Sequence, residues 1–160
     1  MQGESAMADT ATDVLELTIT RLIDAPRALV FKAWIDPALA VRWWGPRGFS
    51  VIECQIDPRP GGAYRKVMRS PEGTLHRLRG TYREVAAPER LRFTFGWEDE
   101  HGVLGPQTQV TVTLTEQDGK TLLALHQVGF ETTSARDLHH SGWSSSLDRL
   151  AEFAFSQRGN

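Results

Sequence analysis

The sequence contains one cysteine, Cys54, which excludes an intrachain disulfide and leaves a cysteine-based metal cluster without ligands. A lone thiol suits a reducing interior, and Cys54, set in an apolar stretch, reads as a small core residue. No run approaches the roughly 18–20 apolar residues of a membrane-spanning helix, and the amino-terminus lacks the charged-then-apolar pattern of a signal peptide. Blocks of like charge are also missing. The 18 Lys and Arg residues are interspersed with 20 Asp and Glu, for a formal net charge of -2, which argues against nucleic acid or an acidic membrane surface as the main partner. Gly61-Gly62 lies between strand-like segments without the helix start of a phosphate loop, and Ser144-Ser145-Ser146 lacks the nucleophile-elbow pattern. The expectation is a cytoplasmic protein with no membrane insertion, no metal and no cofactor.

What is present is an ordinary globular composition, 40% hydrophobic and 24% charged over 160 residues, enough for one domain and too little for two well-cored ones. Residues 1–12 carry no apolar period and read as a disordered leader that contains a second methionine, Met7; residues 13–158 read as a single domain. From Leu15 the chain alternates, with Leu15, Leu17, Ile19 and Ile23 on one side of a strand, a row that Arg21 interrupts. Asp24-Ala25-Pro26 starts a helix, Asp36-Pro37 breaks it, and a second short helix is expected through Trp44. Six further strands follow, expected over Phe49–Ile56, Ala63–Arg69, Leu75–Val85, Leu91–Trp97, Gln107–Thr115 and Thr121–Val128, with residues 98–106 as a polar loop. Asp118-Gly119 marks a tight hairpin. From Thr133 to about Gln157 there is no proline, and Trp143, Leu147, Leu150, Ala151 and Ala154 form the stripe of an amphipathic helix. The order strand, two short helices, six strands, long helix is α+β, with about seven antiparallel strands.

Particular segments then resemble a known group of proteins. Thr20-Arg21 with Ala25-Pro26 and Val30-Phe31, Trp43-Trp44-Gly45-Pro46 with Phe49, and Asp57-x-Arg59-x-Gly61-Gly62 are followed by Gly80-x-Tyr82-x-Glu84-Val85, Pro88-Glu89-Arg90-Leu91, Gly142-Trp143 and Leu147-Asp148-Arg149-Leu150. In this order, from about Leu15 to Phe155, they resemble the START-like SRPBCC superfamily, in the branch related to the C-terminal domain of the activator of heat-shock protein 90 ATPase. The resemblance implies a helix-grip fold, in which a curved sheet wraps the last helix and an elongated cavity opens near the two short helices. It also implies binding of a small, mainly apolar molecule (lipid, aromatic or polyketide-like) in that cavity. Two alternatives accompany it: a cyclase- or hydrolase-type enzyme acting on such a molecule, and a co-chaperone or stress-response interaction protein.

Several residues carry this expectation. Trp43 and Trp44 stand where the resemblance puts the cavity mouth, and with Phe49 they either wall an apolar ligand or pin the corner to the sheet. Phe93, Phe95 and Trp97, facing Trp143 and Leu147 across the fold, line either a packed core or a cavity, which spacing does not separate. Tyr64 and Met68 share strand parity, and Gln127 shares it with Leu123 and Leu125, so each points inward; Arg65 is a further polar candidate. An inward glutamine needs a protein hydrogen bond, a ligand or a water. His126 has the opposite parity and belongs outside. His139 and His140 lie one turn before Trp143, either as an acid or base at the mouth or as solvated helix residues. The expected partner is a small apolar ligand, and the chain is a monomer or, through an exposed strand edge, a homodimer.

Overall fold

The computed structural model describes residues 15–158, so the leader read at residues 1–12 lies outside it. The first alternating segment forms strand β1 (Glu16–Ile23), with Leu17, Ile19 and Ile23 buried. Arg21, which breaks that row, donates from Nε to Asp148 at 3.0 Å and from Nη2 to the Ser144 carbonyl, so the interruption is paired with the C-terminal helix. Helix α1 (Arg27–Ile35) begins after Pro26, and α2 (Pro37–Ala40) begins with Pro37 at its first position and the Asp36 carboxylate accepting from the Ala38 amide at 2.9 Å. The second helix is shorter than the sequence suggested. Val41–Trp43 is a turn, because Trp43 and Trp44 both enter the core and Gly45, at φ 97°, redirects the chain.

The remaining elements are β2 (Ser50–Ile56), β3 (Ala63–Arg69), β4 (Leu75–Ala86), β5 (Arg90–Glu98), β6 (Leu104–Gln117), β7 (Lys120–Val128) and α3 (Thr133–Gln157). The seven strands form one sheet in the order β1-β7-β6-β5-β4-β3-β2, and every neighbouring pair is antiparallel. Register shifts at Val51/Glu53, Tyr82/Glu84 and Gly96/Glu98 bend it. Between β4 and β5 the backbones close so tightly that a Cβ on Gly80 would lie 1.9 Å from the Thr94 carbonyl oxygen, a place only glycine can occupy. The segment read as a polar loop, 98–106, is partly strand. Leu104 pairs with Glu98, and the turn is held by the Asp99 side chain, which accepts from the His101 and Val103 amides.

Helix α3 is capped by Thr132, whose hydroxyl accepts from the Ala135 amide at 3.0 Å. Its stripe of Trp143, Leu147, Leu150, Phe153 and Ala154 is buried against the inner face of the sheet, in one cluster with Ile19, Val112, Leu125 and the aromatic residues of β3, β4 and β5. The result is a helix-grip α+β fold, a curved sheet holding one long helix. Among the described residues no helix is long and apolar enough to cross a membrane.

Candidate functional site

The sheet and α3 do not meet everywhere. A cavity of about 420 Å³ remains between the corner 44–49, the inner row of β3 at Met68, His76 of β4, the Phe95–Trp97 end of β5 and the first half of α3. That volume falls in the range of roughly 300–1,000 Å³ typical of small-molecule pockets. Its aromatic wall is Trp44, Phe49, Phe95, Trp97 and Trp143, completed by Met68, Pro46, Ala135 and Leu138. Leu138 is 72% exposed and Trp97 37%, so the cavity reaches solvent between the end of β5 and the first turns of α3. Gly142, on the cavity side of α3, leaves volume that a side chain would otherwise fill.

Polar groups on this wall are few and mostly engaged. Ser146 donates its hydroxyl to the Gly142 carbonyl at 2.9 Å. Trp97 donates from Nε1 to His139 Nε2 at 3.0 Å, which requires that nitrogen to be unprotonated. His139 packs against Phe95, Trp97 and Phe130, and burial pushes its pKa below the ordinary histidine value. His76 packs at a tilt against Phe49 and edge-on against Trp97 at the same mouth. Among the described residues no carboxylate lines the cavity.

The corner that closes one end is fixed from α3. Arg149 Nη1 sits among four backbone carbonyls, those of Gly45 at 2.8 Å, Pro46 at 3.2 Å, Phe49 at 3.3 Å and Trp44 at 3.4 Å. A Cβ on Gly45 would stand 2.8 Å from the Met68 sulfur, so the corner lies directly on β3.

Seven of the expected residues meet around this cavity: Trp44, Phe49, Met68, Phe95, Trp97, His139 and Trp143. The other five lie in the packed interior. Trp43 is fully buried, donates to the Ala33 carbonyl at 2.9 Å and stacks edge-on with Trp34 at 4.8 Å, so it pins the helical corner. Tyr64 donates its hydroxyl to the Thr94 carbonyl at 2.6 Å, and Phe93 meets it edge-on at 5.4 Å. Leu147, on the sheet-facing side of α3, is fully buried. Gln127 does face inward, and the protein itself satisfies it: Nε2 donates to Thr108 Oγ1 at 2.7 Å, and Oε1 accepts from Trp143 Nε1 at 2.7 Å. Arg65 is on the outer face, where its guanidinium and that of Arg79 hold Glu98; hydrogen bonding from Arg65 draws that carboxyl below its usual range. His126 is also outside, paired with Glu16, and His140 is exposed.

A family model for the Activator of Hsp90 ATPase homolog 1-like protein matches residues 24–154. The chain belongs to this family. Among solved structures, an activator-homolog protein of Silicibacter pomeroyi is 28% identical with a TM-score of 0.81, over 89% of this chain and 99% of that one. A protein of Chromobacterium violaceum is 28% identical with a TM-score of 0.79, over 87% and 96%, and one of Nitrosomonas europaea is 25% identical with a TM-score of 0.77, over 91% and 97%. No curated protein matches the sequence.

Within this family fold, one inward residue escaped the sequence reading. Lys66 shares strand parity with Tyr64 and Met68 and is only 2% exposed. Its ammonium lies 3.7 Å from the centroid of a Trp44 ring and 4.6 Å from that of Tyr64. Desolvation lowers its pKa from 10.5 to about 8, with the neighbouring Cys54 opposing the shift. The signal was available as parity, and the charge masked it.

Proposed function

We propose that the protein binds a small, mainly apolar molecule in the cavity between the sheet and α3. The observation that carries this reading is a 420 Å³ space walled by five aromatic side chains and left open beside Leu138. Apolar surface buried there supplies affinity at about 25 cal/mol per Å², less the cost of ordering the ligand. The polar atoms of the wall are largely committed to one another, so the cavity offers shape and aromatic surface more than a hydrogen-bonding pattern. Lipids, flat aromatics and polyketide-like molecules are the classes that suit such a wall.

Native mass spectrometry of freshly purified protein, beside a thermal-shift screen of those three classes, tests the reading. A retained or stabilising apolar compound is the expected result. A ligand-free mass together with no shift across the screen counts against it.

A further inference from the structure

Lys66 is a buried cation for which the described residues supply no counter-charge. Among the described residues no carboxylate lies within 4.0 Å of it, although Arg21, Arg47, Arg65 and Arg79 all have acidic partners. Burying an ammonium costs several kcal/mol even after relaxation. The cation–π contacts with Trp44 and Tyr64 return only part of that cost. Packing alone therefore does not explain a lysine at a position that a leucine or methionine would fill at no such cost.

The position of Lys66 links it to the cavity. Met68, two residues along the same inward row, lines the cavity, and Trp44 belongs to both the cavity wall and the narrow space around Lys66. That narrow space is too tight for a water molecule, and Lys66 itself stands behind Trp44 and Met68 rather than on the cavity wall. A second donor borders the same space: Trp34 Nε1 is buried with no hydrogen-bond partner among the described residues. Of the two, only the Lys66 ammonium, on its flexible stem, can reach an acceptor brought into the cavity.

We propose that Lys66, by swinging its four-carbon stem past Met68, selects ligands whose apolar body ends in a single anionic oxygen group, a carboxylate or phenolate, which its ammonium pairs at the inner end of the cavity. This rests on the binding reading above and adds the ligand's charge to it. A hydrogen bond to a charged group contributes about 1.5–3 kcal/mol, which corresponds to a preference of about tenfold to a hundredfold for the acid over a neutral analogue.

Calorimetric titration with two matched pairs, decanoate against decanol and naphthoate against naphthylmethanol, tests it in the wild type, Lys66→Met and Lys66→Arg. The expected result is an acid preference of about tenfold or more in the wild type, as argued above, abolished in Lys66→Met and kept at least in part by Lys66→Arg. Equal affinity for acid and neutral members, or an acid preference that survives in Lys66→Met, overturns this inference and leaves apolar binding standing. Failure of all four compounds to bind the wild type overturns both. Should Lys66→Met unfold, the neutral Lys66→Gln takes its place in the same comparison, with the same two outcomes.

Discussion

Trp143 Nε1 donates to Gln127 Oε1 at 2.7 Å, and through this bond the wall of the cavity is tied to strand β7 from inside the core. Gln127 passes the connection on to Thr108 of β6 at 2.7 Å. Both partners of the helix-to-sheet bond are buried, and each would be left unsatisfied by loss of the other. The glutamine is thus a structural strut, and the cavity's aromatic wall depends on it.

Replacing Gln127 with leucine should therefore destabilise the fold by about 1–3 kcal/mol, the cost of an orphaned buried donor. A double-mutant cycle with Trp143→Phe, measured by urea unfolding, should show the two losses to be non-additive by at least about 0.5 kcal/mol. Strict additivity would mean that the bond contributes nothing to stability.

Gly142→Met should separate binding from folding. Methionine favours the helix over glycine by up to about 1 kcal/mol, and its side chain enters the cavity from α3. The melting temperature is expected to hold or rise, and affinity for any cavity ligand to fall at least about tenfold, the loss of roughly 1.4 kcal/mol. Retained affinity would place the ligand elsewhere.

Lys66 makes stability depend on alkaline pH in a defined direction. The folded chain gives up this proton near pH 8 and the unfolded chain near 10.5, so between these values the unfolded chain binds more protons and wild-type stability rises with pH. Lys66→Met cannot titrate there, so its stability relative to the wild type should fall by about 3 kcal/mol from pH 8 to 10.5. Denaturant unfolding at both ends of that window checks it. A constant difference would show that Lys66 is solvated.

His139 works on the acid side. Its folded pKa lies below the ordinary 6.5, so the unfolded chain binds the extra proton first and stability falls as pH drops through that value. Protonation of Nε2 also removes the acceptor of the Trp97 bond and loosens the mouth. Tryptophan emission and melting temperature should shift together below pH 6.5 in the wild type, and His139→Phe should lose that component. An unchanged acid profile in the variant would assign the effect to other groups.

The fold was largely legible in the sequence because period and punctuation agree. The alternation of β1 and β7, the Asp118-Gly119 hairpin and the stripe of α3 all appear where the residues place them. Elements were misjudged where tertiary pairing decided: Leu104 joins β6 through its pairing with Glu98, and α2 stops at Ala40 because two tryptophans turn into the core. The site was half legible for a physical reason. Parity assigns a residue to the inner face but not to a place along it, so Phe93 and Phe95 share a face while one packs on Tyr64 and the other lines the cavity. Gly142, Ala135 and Ser146 matter through the space they leave, which no apolar pattern records. The Arg149 clamp was equally hidden, since its partners are backbone carbonyls.

The most direct test of apolar binding is a titration followed by tryptophan fluorescence, because Trp44, Trp97 and Trp143 all line the cavity. The wild type and Gly142→Met are titrated side by side with a compound chosen by the thermal-shift screen. A saturable change in the wild type that is absent in the variant is the predicted result. No saturable change in the wild type, or the same change in both proteins, would contradict ligand binding in this cavity.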